Sequence, residues 1–136
     1  MVKVIMGLKG SGKTKQLVEL INNAVRDENG SIVCMEKGNK LRFDIDYRVR
    51  LIESDAYGVN DYTFLKGFIS GLHAGNFDIT NLFIDSLYKI SNCSDIAQTE
   101  EFLQWCEKFS EANNLQITIT ISDDIANATE AMKKYF

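Results

Sequence analysis

A run of glycines with a lysine and a threonine stands near the start of the sequence, at Gly7–Thr14 (G-L-K-G-S-G-K-T). A bound phosphate needs many hydrogen-bond donors at short range, and glycines let backbone amides approach it closely. Lys13 adds a mobile positive charge for the β- and γ-phosphates, and the Thr14 hydroxyl suits a Mg²⁺ ligand. The residues predicted to bind a triphosphate are Gly7, Leu8, Lys9, Gly10, Ser11, Gly12, Lys13 and Thr14.

The residues on either side of this phosphate-binding loop predict a strand before it and a helix after it. Val2–Met6 is a short apolar run rich in β-branched residues, which suits a buried strand. From Lys13 onward the apolar residues recur with helical spacing until a stop signal at Asn29-Gly30. This order places a phosphate at the positive end of a helix, and it favours a phosphate-binding loop over a chance match to the pattern.

Asp85 is the candidate metal ligand, because it closes the apolar run Leu82-Phe83-Ile84. Mg²⁺ usually keeps several waters and is bound through one or two carboxylates together with the phosphates of a substrate. An aspartate at a strand end can equally be a turn or capping residue. With a phosphate-binding loop upstream, the sequence predicts Thr14 and Asp85 as the Mg²⁺ ligands.

The loop Gly7–Thr14 together with Leu82–Asp85 resembles the Walker A and Walker B motifs of the P-loop NTPase superfamily. The order of elements further resembles RecA-like ATPases, which often carry a catalytic glutamate at the end of the strand after the Walker A helix. Glu36 occupies that position here. By the same resemblance, Ser122 or Asp123 senses the γ-phosphate. The chain is also similar to short, uncharacterised bacterial ATP-binding proteins.

The resemblance implies Lys13 and Glu36 as catalytic residues, with Glu36 polarising the water that attacks the γ-phosphate. The residue types alone leave a second interpretation of Glu36 open, as a solvated acid before the Lys37-Gly38 turn. Ser86 departs from the family pattern, since many hydrolytic P-loop ATPases carry Glu beside the Walker B aspartate. The expected ligand is ATP with Mg²⁺, because Asn39–Arg42 begins like the guanine-recognition motif N-K-x-D but lacks its Asp.

Three functions are compatible with these residues. The first is a Mg²⁺-dependent ATPase or ATP-driven switch. The second is a small-molecule kinase, although such kinases usually close an arginine-bearing lid over the phosphate and this chain has no arginine after Arg50. The third is a non-catalytic nucleotide-binding module that acts through a partner.

The remaining apolar runs alternate between strand and helix signals, which predicts a single domain over residues 1–136. Further strands are predicted at Ser31–Glu36, about Val49–Glu53, Asn81–Asp85 and Gln116–Ile121, and further helices from about Asp61 to Gly75, at Thr99–Asn113 and after Asp123-Asp124. This alternation predicts an α/β fold, a three-layer α/β/α sandwich with a mostly parallel five-stranded sheet.

The segment Leu41–Leu51 shows strict alternation, with apolar residues at odd positions and charged residues at even ones. This period of two predicts extended structure with one solvated face. The charged face includes Arg42, Arg48 and Arg50. RecA-like ATPases commonly receive a basic residue from a neighbouring subunit, so the resemblance leaves open a homo-oligomer in which these arginines reach the next site.

Composition narrows the choice of partners. The formal net charge is −4, which argues against nucleic acid as a ligand unless a local basic patch exists. Cys34, Cys93 and Cys106 have neither disulfide nor zinc-site spacing, and His73 is expected to be a packing or surface residue. No apolar run has the length of a membrane span or a secretory signal, so the expected location is the cytoplasm.

Overall fold

The computed structural model describes residues 1–27 and 29–136, which form alternating strands and helices around one sheet. All neighbouring strands in that sheet are parallel. The strands are β1 (Val2–Gly7), β2 (Ser31–Glu36), β3 (Arg50–Glu53), β4 (Ile79–Ile84) and β5 (Gln116–Ser122). The helices are α1 (Lys13–Asp27), α2 (Tyr62–Gly75), α3 (Leu87–Ser91), α4 (Ile96–Asn113) and α5 (Glu130–Lys133), with 3₁₀ turns at Ser54–Tyr57 and Ile125–Asn127.

The strands lie in the order β1-β5-β4-β2-β3. The connection from β1 to β2, which contains α1, therefore crosses two strands that come later in the chain. Because every strand runs in the same direction, the carboxyl ends of all five strands lie along one edge. The register at that edge sets Gly7 of β1 beside Ser122 of β5, and Glu36 of β2 beside Glu53 of β3.

Helices pack against both faces of the sheet. On one face, Leu17, Ile21 and Val25 of α1 form a cluster with Cys34 of β2 and Phe83 of β4. The opposite face carries the larger cluster, to which α2, α3, α4 and α5 all contribute buried side chains. The expected α/β fold with a parallel sheet is confirmed, and the packing is compatible with a three-layer sandwich. Among the described residues, no helix is long and apolar enough to cross a membrane.

The prediction of extended structure before β3 is wrong. Residues 37–49 form successive turns and bends, and the strand begins only at Arg50. Burial in this segment has a period of four, because Leu41, Ile45 and Val49 are buried against α1. The turns are held by Asn22 of α1, whose Nδ2 donates to the Asp44 carbonyl and whose Oδ1 accepts from the Asp46 amide, both at 3.2 Å. Contacts with a helix, rather than with a neighbouring strand, therefore determine this conformation.

Helix α3 (Leu87–Ser91) was not predicted, and the boundaries of the predicted helices differ where a cap was misjudged. Helix α2 follows its predicted course, with the Asp61 side chain accepting from Phe64 N at its start. Helix α4 begins before the predicted Thr99, because the Asp95 side chain caps it by accepting from Gln98 N at 3.0 Å. The predicted last helix is divided into a 3₁₀ turn and the short α5, which has Thr129 as its own cap.

The C-terminal segment covers the outer edge of β1, which is an edge strand. Val4 N donates to the Tyr135 carbonyl at 2.8 Å, outside the pairing between β1 and β5. The Tyr135 hydroxyl in turn donates to Glu107 Oε2 of α4 at 2.7 Å. An amide of the strand that leads into the phosphate-binding loop is thereby satisfied by the end of the chain.

Candidate nucleotide-binding site

A cavity of about 720 Å³ lies at the carboxyl edge of the sheet. The segments that follow all five strands contribute to its wall: the phosphate-binding loop after β1, Glu36 at the end of β2, Asp55 after β3, Asp85 after β4 and Ser122 at the end of β5. The chain leaves the neighbouring strands β1 and β5 toward opposite faces of the sheet. In parallel α/β sheets, a crevice suited to ligand binding forms where the chain leaves two neighbouring strands toward opposite faces.

The glycine-rich loop Gly7–Thr14, the predicted phosphate site, has the backbone conformation that its glycines permit. Gly10 and Gly12 have φ angles of 84° and 86°, in the left-handed region where a side chain is disfavoured. A Cβ on Gly7 would lie 2.7 Å from Ser11 Oγ, so this position also favours glycine. Gln16 N donates to the Gly12 carbonyl at 3.0 Å, which joins the loop to the first turn of α1. The loop therefore leads directly into the positive end of that helix.

Lys13 and Thr14 are the first two residues of α1. The Lys13 side chain is buried, and its Nζ donates to the Leu8 carbonyl of the loop at 2.9 Å. That carbonyl is an uncharged acceptor, so this bond is not an ion pair. Thr14 is exposed on the cavity wall.

Asp85 is held by hydrogen bonds from both neighbouring strands. Its backbone N donates to the Met35 carbonyl of β2 at 2.9 Å, and Thr120 Oγ1 of β5 donates to its Oδ1 at 2.7 Å. The Thr120 hydroxyl also accepts from Ser86 N at 2.7 Å. Asp85 is buried, and within the described ranges this is the only side-chain hydrogen bond to its carboxylate. Oδ2 of Asp85 therefore keeps its capacity to accept a bond or bind a cation.

Ser86 has a backbone conformation that non-glycine residues rarely adopt. Its φ is 61° and its ψ is 66°, in the left-handed region, and its side chain contributes to the cavity wall. Left-handed non-glycine residues are concentrated at functional sites, where the surrounding structure compensates for the strain. Here the bond from Ser86 N to Thr120 contributes to holding the strained backbone.

Glu36 is buried, and both of its carboxylate oxygens accept hydrogen bonds from the loop that follows. Oε1 accepts from Lys40 N and Oε2 accepts from Leu41 N, each at 2.9 Å. The interpretation of Glu36 as a solvated acid is therefore wrong. The carboxylate lies on the cavity wall while it anchors the start of the 37–49 segment.

The lysines give the cavity a positive character within an acidic protein. Six lysines line it against three carboxylates, whereas the chain as a whole has a net charge of −4. The carboxylates are those of Glu36, Asp55 and Asp85. The lysines are Lys9, Lys13, Lys15, Lys37, Lys40 and Lys89. Low-dielectric walls lined by one sign of charge concentrate ligands of the opposite sign. The cavity is therefore suited to a polyanion.

Cys34 lies on the face of the sheet that α1 covers, and the charges of two cavity carboxylates act on its thiol. Burial raises the pKa of its thiol far above the ordinary value, and the charges of Asp85 and Glu36 raise it further. A thiol in such surroundings stays protonated and is a poor nucleophile. Cys34 thus behaves as a packing residue.

Of the two residues predicted to sense the γ-phosphate, only one lines the cavity. Ser122 lines the cavity, but Asp123 does not: its backbone N donates to the Gly7 carbonyl at 3.0 Å, and its Oδ1 accepts from Asn127 Nδ2 at 2.9 Å. His73 packs edge-on against Phe109 with ring centroids 5.7 Å apart, which confirms a packing role. Sequence reasoning did not single out Thr120.

The signal for Thr120 was present in β5. Its polar residues Thr118, Thr120 and Ser122 alternate with isoleucines in an otherwise apolar strand. That pattern assigns them to one face of the sheet but does not show which strand lies beside them.

Comparison of the sequence with models of known protein families finds no match, and comparison with curated proteins finds no similar sequence.

Proposed function

We propose that this chain binds a Mg²⁺–nucleoside triphosphate, preferably ATP, and acts as an ATPase or ATP-driven switch of the RecA-like P-loop type. The observation that carries the proposal is the convergence of Lys13, Thr14 and Asp85 on one lysine-rich cavity at the start of α1. A glycine-bearing loop with left-handed glycines supplies backbone donors at the same place.

Phosphate binding would use groups that are already in position. Lys13 Nζ has one hydrogen bond to a neutral carbonyl, and exchanging it for a phosphate oxygen gains a charge-assisted bond. The loop amides and the end of α1 add partial positive charge at the same site. These groups recognise the triphosphate and do not depend on the base.

The residues present also fit Mg²⁺. The part of the chain that the structure describes has no cluster of three or more His, Cys, Asp or Glu that could enclose a metal. A site with one hydroxyl and one carboxylate suits Mg²⁺, which keeps several waters and shares its coordination with phosphate oxygens. Thr14 and Asp85 would hold the ion, with Thr120 fixing the Asp85 carboxylate. When bound, the ion neutralises charge on the β- and γ-phosphates.

The role of Glu36 would differ between an ATPase and a non-catalytic nucleotide-binding module. In an ATPase, Glu36 would accept a bond from the attacking water with lone pairs that its bonds to the amides of Lys40 and Leu41 leave free. In a non-catalytic module, Glu36 would stay bonded to those amides and only anchor the loop. The two bonds of 2.9 Å support the anchoring role, which both functions share. Turnover by the purified protein separates the two functions.

Isothermal titration calorimetry with ATP and Mg²⁺ tests the binding step. We expect Lys13→Ala to weaken binding at least tenfold, since a hydrogen bond to a charged group contributes about 1.5–3 kcal/mol. Lys108→Ala, on the exposed side of α4, is the control and should bind as wild type. Unchanged affinity in a folded Lys13→Ala protein would refute the proposal. ATP and GTP turnover measured over a range of protein concentrations then tests hydrolysis, base preference and dependence on an oligomer.

A further inference from the structure

Two aromatic side chains in the segment between β2 and β3 are almost fully exposed. Phe43 is 87% exposed and Tyr47 is 93% exposed. Single exposed apolar residues are common on protein surfaces. These two rings, however, alternate with Arg42, Arg48 and Arg50, which are also exposed. We call residues 42–50 the arginine–aromatic loop.

The loop presents its rings from a fixed backbone. The residues between them and on either side, Leu41, Ile45 and Val49, are buried in the cluster beneath α1. Asn22 of α1 holds the loop backbone through two further hydrogen bonds. Because the inward residues anchor the loop, exposure of Phe43 and Tyr47 follows from its fold. Binding through rings on an anchored loop requires little further ordering of the backbone.

Positive charge lies beside the rings. The Arg42 guanidinium stands over the Phe43 ring, 4.9 Å from its centroid. Arg48 forms a bidentate pair with Asp46, at 3.0 Å through Nε and 2.9 Å through Nη2, and this pair lowers the Asp46 pKa to about 2. Among residues 1–27 and 29–136, no carboxylate lies within salt-bridge distance of Arg42 or Arg50. These two guanidinium groups retain their charge for a ligand.

We propose that the arginine–aromatic loop binds single-stranded nucleic acid, with unpaired bases stacking on Phe43 and Tyr47 and phosphates contacting Arg42 and Arg50. Aromatic rings combined with arginines bind such strands with little sequence preference, because every base has a π-face. A shallow depression of about 420 Å³, lined by Tyr47 and the three arginines among others, lies beside the Tyr47 ring. The acidic composition argues against nucleic acid unless a local basic patch exists, and residues 42–50, with three arginines and two aspartates, carry a local net positive charge.

The chemistry favours a single strand over other partners. A duplex buries its base faces, so it would engage the arginines but not the rings. An anionic membrane attracts clusters of several basic residues, about 1 kcal/mol for each, whereas this loop has two uncompensated arginines and two acidic residues. The binding step does not require the proposed nucleotide site and is measured without nucleotide.

Fluorescence anisotropy with a labelled oligodeoxythymidine of about 20 nucleotides tests the proposal at low salt. We expect Phe43→Ala/Tyr47→Ala to lose about tenfold in affinity for each ring removed. The control is Phe77→Ala, which removes a ring that is 80% exposed in the turn before β4 and has no arginine beside it in sequence. This control should bind as wild type.

A second pair of variants tests the charge. Arg42→Ala/Arg50→Ala should weaken binding and reduce the slope of log affinity against log salt by about 1.4, the value for two phosphate contacts on a single strand. Arg26→Ala/Lys108→Ala removes the same charge elsewhere and should leave the slope unchanged.

Three results would each overturn the proposal: no binding by wild type, equal affinity for a duplex of the same length, or equal affinity after removal of both rings. Binding to anionic vesicles through the same rings, without competition by the oligonucleotide, would also overturn it.

Discussion

Thr120 Oγ1 donates a 2.7 Å hydrogen bond to Asp85 Oδ1, and this bond joins the ends of neighbouring strands β5 and β4. The same oxygen accepts from Ser86 N at 2.7 Å, so one hydroxyl satisfies both a buried carboxylate and a strained backbone. Thr120 itself is fully buried in the sheet. It therefore fixes the orientation of the residue that we expect to hold Mg²⁺.

Replacing Thr120 with Val should lower the free energy of unfolding by about 1–3 kcal/mol, because a buried carboxylate and a partly buried amide each lose a partner. Mg²⁺-dependent nucleotide affinity should fall as well, since Asp85 is no longer oriented. Urea unfolding and calorimetry measure the two effects. Thr120→Ser keeps the hydroxyl and is the matched control. Equal stability and affinity of the Val and Ser variants would contradict the assigned role.

Glu36→Gln should loosen the segment that follows β2. The amide group can accept only one of the two backbone bonds, and its NH₂ then faces a second donor. Hydrogen exchange should become faster at the amides of Lys40 and Leu41. Glu53→Gln, at the neighbouring register position on the exposed edge strand, should leave that exchange unchanged. Slow exchange in Glu36→Gln would show that the bonds do not anchor the loop.

The kinetics of Glu36→Gln and Asp85→Asn should also differ if the protein hydrolyses ATP. A residue that positions water acts mainly in the transition state, so Glu36→Gln should reduce kcat by about 10²–10⁴-fold with little change in nucleotide affinity. Asp85→Asn should weaken Mg²⁺-dependent binding as well as turnover. Wild-type turnover in Glu36→Gln would leave this residue with its anchoring role alone.

Alanine at Gly10 or Gly12 should destabilise the protein by about 1–2 kcal/mol, because a side chain in the left-handed region is strained. No atom lies within 4 Å of a Cβ at either position, so a steric clash does not contribute. Gly38→Ala is the matched control: this glycine also lines the cavity and has open space, but its φ is not positive. Thermal unfolding of the three variants measures the difference. A Gly38→Ala protein as unstable as the other two would contradict the prediction.

The three cysteines should differ in their reaction with iodoacetamide. Burial raises the pKa of the Cys34 and Cys106 thiols, so the reactive thiolate is scarce at pH 8. Cys93 is partly exposed and should be alkylated first. Mass spectrometry of the folded protein, with urea-unfolded protein as the control in which all three react, measures the order. Alkylation of Cys34 as fast as Cys93 would show that its surroundings are open.

Local patterns predicted most of the elements. The strand Ser31–Glu36 has its predicted bounds, because a short apolar run between turn residues permits little else. The alternation in Leu41–Leu51 failed because period two describes a strand only when a neighbouring strand pairs with it. Here Leu41, Ile45 and Val49 pack under a helix. A local pattern does not reveal which element covers a segment.

In the candidate site, too, local motifs were predictable from the sequence, whereas contacts between residues of different elements were not. That Lys13, Thr14 and Asp85 would meet at one edge of the sheet was predictable because a loop motif and a strand end are local features; their roles remain predictions. The bond between Thr120 and Asp85 depends on β5 lying beside β4, which strand patterns alone do not determine. Likewise, the bonds of Glu36 to Lys40 and Leu41 depend on how the following segment closes.

The bond from Val4 N to the Tyr135 carbonyl bears on how this protein behaves in solution when its C-terminal segment is altered. An edge strand with unpaired amides is a template for pairing with another chain. Deleting the last few residues, or displacing them with a bulky fusion, would bare the outer side of β1. Such variants should form intermolecular sheets and precipitate. On this prediction, the segment that supplies the Tyr135 carbonyl to β1 protects the chain against aggregation.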